Sequence, residues 1–125
     1  MLTDASFRSF AALRPPVGAG AAPDAASLIE QPLTELVARL RRGELTARAL
    51  VEAHIAQTQA VNPTLNAVII ERFAAAREEA QAADAQLKSA ADRETLPPLL
   101  GVPCTVKEFF AVAGQPQTGG MLAYR

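Results

Sequence analysis

The 125-residue chain is 50% hydrophobic but only 5% aromatic, has no tryptophan, and sets 12 basic against 13 acidic side chains for a formal net charge of −1. That is the composition of a globular protein with room for one compact domain, although much of the apolar content is alanine, which buries little area per residue. The near-neutral balance excludes a strong field that would gather nucleic acid or an anionic membrane, and no stretch approaches the roughly 18 consecutive apolar residues of a membrane-spanning helix.

Residues 1–31 are alanine-rich and broken by Pro15, Pro16, Gly18, Gly20 and Pro23, which reads as a flexible leader ahead of a domain that begins at residue 32. The leader lacks the cationic start and continuous apolar run of a secretion signal, and the single cysteine, Cys104, suits a reducing compartment, so a cytoplasmic location is expected.

Pro32 fits a helix start, and Leu33, Leu36, Val37 and Leu40 fall on one helical face until Gly43 stops the period. Thr46 is a good cap for a second helix with the stripe Ala47, Leu50, Val51 and Ile55, ending at Val61-Asn62-Pro63. The apolar run Asn66–Ile70 has three β-branched residues and reads as a buried strand. A regular helix follows from about Arg72 to Ala90, with Phe73, Ala76, Ala80, Ala83 and Leu87 on one face, and then a proline-rich linker. Leu99–Phe110 alternates as a strand should, with Val102, Cys104 and Val106 toward a core and Lys107 on the polar side; residues 113–125 read as loop. The order helix, helix, strand, helix, strand predicts an α/β fold whose sheet is incomplete within these residues.

The stretch Gly101-Val-Pro-Cys-Thr-Val-Lys107-Glu-Phe-Phe-Ala-Val-Ala-Gly114-Gln-Pro-Gln-Thr118 resembles the opening of the amidase signature family. There a Gly-x-Pro-x-x-x-Lys-(Asp/Glu) strand leads into a Gly-x-Pro-x-(Thr/Ser) loop. Leu33-Thr-Glu-Leu-Val-Ala-Arg-Leu-Arg-Arg-Gly-Glu-Leu-Thr46 and Val61-Asn-Pro-Thr-Leu-Asn-Ala-Val68 resemble the opening helices and first-strand turn of the same family. The Val-Lys-Glu-Phe context is similar to the fatty-acid-amide-hydrolase-like branch more than to the amidotransferase subunits. On this resemblance residues 32–125 are the N-terminal part of a truncated amidase-signature domain.

The resemblance implies hydrolysis of carboxylic amides, with esters as a further class, by a serine nucleophile, a bridging serine held by a cis peptide bond, and a neutral lysine as general base. Lys107 matches that base. The substrate implied is a small-molecule amide, with no metal and no organic cofactor; nucleic acid is not an expected partner, and the oligomeric state is left open. The chain's four serines, Ser6, Ser9, Ser27 and Ser89, all precede the lysine segment and match neither family serine, so the Gly/Ser-rich segment is expected beyond Arg125 and the chain alone is expected to be inactive.

A lysine with a reference pKa near 10.4 is only on the order of 0.04% neutral at pH 7. Lowering it by the roughly 3–5 units that burial can supply costs about 4–7 kcal/mol of folding stability, a large part of the roughly 5–15 kcal/mol a domain has. Lys107 is therefore expected to be exposed and charged in this chain alone. The blander readings are a structural histidine at His54, a small core residue at Cys104, a local pairing role for Glu108, and ordinary turn glycines at Gly114, Gly119 and Gly120. A different class of function stands beside the enzyme: a non-catalytic helical interaction module using the faces Leu33–Leu40 and Phe73–Leu87.

Overall fold

The computed structural model describes residues 25–124, so the expected leader lies outside the described residues as far as position 24. Among the described residues four α-helices follow in order: α1 (Ala25–Leu28), α2 (Leu33–Arg42), α3 (Ala47–Leu65) and α4 (Phe73–Ser89), with short 3₁₀ turns at Arg93–Thr95 and Leu122–Tyr124.

Local chemistry accounts for most of the boundaries. Pro32 caps α2, Glu35 sits in its first turn, and Arg39, Arg41 and Arg42 sit in its last, each charge complementing the helix dipole. Gly43 takes the left-handed conformation (φ 74°); its N–H donates to Leu40 O at 3.1 Å and the next amide, Glu44, donates to Arg39 O at 2.9 Å, which closes the helix in a Schellman motif. Thr46 then opens α3, its hydroxyl accepting from Ala49 N at 3.1 Å. The two preceding amides are satisfied from outside the helix: the Asp84 carboxylate on α4 accepts from Ala47 N at 2.6 Å and Arg48 N at 3.0 Å.

α3 runs two residues past the expected stop at Pro63 and ends when Asn66 turns left-handed (φ 48°). Pro63 forfeits its amide bond and its ring crowds the carbonyl four residues back, yet the helix runs on to a cap in which Asn66 N donates to Asn62 O at 2.7 Å.

The core lies chiefly between α3 and α4, the most extensive helix pairing. Leu50, Val51 and Ile55 of α3 meet Ala80, Ala83 and Leu87 of α4, and Leu36 and Leu40 of α2 join them with Leu28 of α1. Alanine at 80 and 83 lets the backbones approach closely. A bidentate ion pair crosses the same interface, with Arg77 Nε and Nη2 at 2.9 and 3.0 Å from the Glu52 carboxylate, which Arg48 also reaches at 2.8 Å.

The expected strands do not form among the described residues. At 66–70 the Asn62 side chain takes both backbone groups of Val68: Oδ1 accepts from its N–H and Nδ2 donates to its carbonyl, each at 2.9 Å. A side chain thus occupies bonds that a strand would offer a neighbour, and Ile69 and Ile70 face solvent. At 99–110 the chain makes turns at Leu100 and Val102 and then extends without a pairing partner. Cys104, expected in a core, is consequently exposed, as is Val106. A strand's inner face is buried only when a neighbouring layer covers it, and none does here.

The two helical faces considered as an interaction surface are largely consumed by this core. Leu36, Leu40, Ala80, Ala83 and Leu87 are buried, and Phe73 and Ala76 pack against them.

Candidate active site

The segment carrying Lys107 is tied to the helices at its root. Arg93 donates through Nε to Leu87 O (2.8 Å) and through Nη1 to Arg41 O (2.7 Å), while Arg41 Nη2 donates to the carbonyls of Leu96 (2.9 Å) and Pro97 (3.0 Å). These bonds hold the linker against the ends of α2 and α4. Leu96, Leu100 and Val102 pack their apolar side chains on the core.

Gly101 completes the anchorage. Its backbone is left-handed (φ 87°), and a Cβ there would lie 2.9 Å from the Cβ of Ala47, which is 0% exposed at the start of α3. Only glycine meets both demands, the positive φ and the contact distance. The chain therefore leaves the core at a defined point, passes Pro103, and extends through Cys104, Thr105 and Val106 to Lys107, all four from Cys104 being exposed.

Lys107 is exposed, as the sequence predicts, and its carbonyl accepts from Phe110 N at 2.9 Å in a tight turn. Its apolar neighbours are uncovered: Val106 is 58%, Phe109 68% and Phe110 65% exposed, and the two rings meet edge to face with centroids 6.5 Å apart.

Glu108 takes the local pairing role expected of it, with the Thr118–Gly119 turn as its partner. Its carboxylate accepts from the backbone amides of Thr118 and Gly119 across the loop, and Thr118 Oγ1 accepts from Gly120 N at 3.1 Å. The Thr118 amide and hydroxyl, with help from the Gly119 amide and the Lys107 charge, hold the Glu108 carboxyl below its ordinary value. The available signal was a carboxylate ten residues ahead of Thr118-Gly119-Gly120, a turn sequence whose consecutive N–H groups can converge on one anion.

The remaining candidates are structural. His54 is half-buried on α3 and its Nδ1 donates to Leu50 O at 2.9 Å. Ser89 closes α4, its hydroxyl donating to Gln86 O at 3.3 Å, while Ser6 and Ser9 lie outside the described residues. Among the described residues, no group of three or more His, Cys, Asp or Glu side chains is placed to hold a metal ion, and no helix is long and apolar enough to cross a membrane.

Comparison with known proteins places this arrangement. The family model for Amidase matches residues 49–125, the span from α3 through Lys107 and the Glu108 loop. The chain is 44% identical over 91 residues to fatty-acid amide hydrolase 2-B of Danio rerio, covering 70% of this chain and 17% of that protein. It is 34% identical over 116 residues to fatty-acid amide hydrolase 2 of Homo sapiens, covering 82% of this chain and 22% of that protein. An acylamidase of Rhodococcus erythropolis is 37% identical over 89 residues, covering 70% of this chain and 18% of that protein. The chain thus spans about a fifth of the length of these curated relatives. No solved structure matches. With the family model covering more than half of its residues, Lys107 and the Glu108 loop among them, the chain belongs to the amidase family.

Proposed function

We propose that this chain carries the general-base lysine of a serine-dependent amide hydrolase, with Lys107 as the base and both serines supplied by sequence outside residues 1–125. The observation that carries the reading is that the family match runs through Lys107, which stands at the end of a segment anchored by Gly101 on Ala47. In the complete enzyme the neutral amine takes a proton through the bridging serine, the nucleophilic serine attacks the amide carbonyl, and backbone N–H groups hold the oxyanion. The names of the relatives, amide hydrolases and an acylamidase, favour carboxylic amides as substrates, and the two fatty-acid amide hydrolases favour that branch.

The uncovered side chains fit this division of labour. Desolvation is one way to lower a lysine pKa far enough for it to act as a base, and Val106, Phe109 and Phe110 offer an apolar surround that has yet to be covered. In this reading residues 32–125 are the first part of an α/β domain, and strands added by the remainder pair with the extended segment at 102–107, burying the amine. The 125-residue chain alone is without amidase activity.

The test is a polypeptide that extends past Arg125 through the family's Gly/Ser-rich segment, assayed on simple carboxylic amides with and without Lys107→Ala. Turnover in the parent and its loss in the variant are expected; full turnover in the variant refutes the reading.

A further inference from the structure

Glu108 adjoins Lys107 in the chain, yet its carboxylate is turned to the far end of the loop. Oε1 accepts from Thr118 N and, at 3.3 Å, from Gly119 N, and Oε2 accepts from Gly119 N at 3.1 Å. Gly120 N is taken by Thr118 Oγ1 at 3.1 Å, so three consecutive amides of the turn are engaged inside the chain. A further bond, Gln117 Nε2 donating to Phe109 O at 2.6 Å, closes the loop beside them. Gly119 and Gly120 have φ values of 56° and 81°, and nothing lies within 4 Å of a Cβ built on either, so glycine is required here by backbone conformation and not by crowding. Thr118–Met121 is a tight turn closed by Met121 N donating to Thr118 O at 3.0 Å, and the consecutive N–H groups leading into such a turn can converge on one anion. Here the anion is the protein's own.

Two consequences follow. While Glu108 is in place, the amides of Thr118 and Gly119 face a carboxylate and are not free to donate to a reaction oxyanion or a phosphate. The turn also cannot shift without dragging the residue next to Lys107. Glutamine is a poor substitute, because its NH₂ group is a donor and would confront one of the amides that an acceptor-only carboxylate satisfies.

We infer that Glu108 is a positioning residue of the proposed amidase site: its carboxylate ties the Thr118–Gly120 turn to the segment that carries Lys107 and fixes the backbone around that amine without touching the reacting atoms. The role in catalysis rests on the amidase reading above; the tie itself does not.

The experiment has two arms, each with Glu108→Gln and Glu108→Asp. In the isotope-labelled 125-residue chain, amide hydrogen exchange at Thr118 and Gly119 is followed by NMR. In a longer polypeptide with amidase turnover, kcat and KM are measured across pH. Exchange at both amides about tenfold faster in Glu108→Gln, with partial recovery in Glu108→Asp, is expected from the loss of charge-assisted bonds. In the enzyme, Glu108→Gln is expected to lower kcat about tenfold or more with KM changed by less than about twofold, and Glu108→Asp to regain part of it. Exchange at Thr118 and Gly119 that is the same in Glu108→Gln and parent overturns the tie, whatever the enzyme does. Faster exchange with kcat, KM and pH profile all unchanged overturns the positioning role. Failure of the amidase reading looks different: turnover survives Lys107→Ala while exchange at Thr118 and Gly119 still depends on Glu108.

Discussion

Gly101 and Ala47 are in contact through the space where a Cβ on residue 101 would be, 2.9 Å from the Cβ of Ala47. The Ala47 methyl is rigidly attached to the first turn of α3 and cannot rotate away. Gly101→Ala therefore meets a steric clash and a positive φ together, and is expected to cost about 1–3 kcal/mol. Urea denaturation followed by far-UV circular dichroism measures the loss. Ala47→Gly costs stability on its own, because a buried methyl is lost and glycine is a poor helix former, so the contact is read from a double-mutant cycle: the double variant should be less destabilised than the sum of the two single variants. A Gly101→Ala variant as stable as the parent would show that the segment is not seated on Ala47.

The Asp84 carboxylate supplies acceptors for the amides of Ala47 and Arg48 from another helix. Asp84→Ala leaves both without their acceptor at the start of α3 and is expected to destabilise the fold by about 1–2 kcal/mol. Asp84→Asn keeps one oxygen and should lose less. The same denaturation experiment ranks the two, and the reverse order would exclude this capping role.

Three glutamates are held below their ordinary value and tie stability to pH: Glu44, chiefly by its hydrogen bond from Arg42 two residues away, and two that join more distant segments. Glu52 lies below its ordinary value because Arg77, and then Arg48, donate to it, and Glu108 lies below its own because of the Thr118 amide and hydroxyl. A folded pKa below the unfolded one stabilises the protein fully above the unfolded value, and the benefit is lost as pH falls through the folded value. The unfolding midpoint is thus expected to be flat from neutral pH to about 5 and to decline below the ordinary glutamate value of about 4.3. Glu52 is more than a third exposed, so Glu52→Gln should cost under about 1 kcal/mol at neutral pH and flatten part of the acidic decline. A midpoint that rises on acidification would contradict both assignments.

Lys107 separates stability from catalysis. Because it is exposed, Lys107→Ala should change the stability of the 125-residue chain by no more than about 0.5 kcal/mol. In a longer enzyme the same substitution should reduce kcat/KM by about a thousandfold or more, as expected when a base in an acyl-transfer triad is removed. Thermal melts of the short chain and steady-state kinetics of the long one check the two halves independently.

The three longer helices were legible because their signals are local. Pro32, Gly43 and Thr46 act on neighbours within a turn, and the Phe73–Leu87 stripe repeats at a helical spacing, so residue order alone carries the information. Pro63 misplaced the end by only two residues: it does not continue a helix far, but the exact stop is set by Asn66, whose left-handed backbone and N–H bond to Asn62 O form the cap. The two apolar runs read as strands have the right residues, but β structure is a relation between segments. Val68 found its partner in the side chain of Asn62, and residues 102–107 found none.

The amino-acid order thus settles the three longer helices, the caps at Gly43 and Thr46, the family motif and the solvent exposure expected of an isolated lysine, because each depends on chemistry within a few residues or on the motif itself. Four pairings needed the folded chain: Asp84 with the start of α3, Asn62 with Val68, Gly101 with Ala47, and Glu108 with the Thr118–Gly120 turn. A carboxylate, an amide or a missing Cβ has many eligible partners along a chain, and only packing in three dimensions brings one of them within bonding distance.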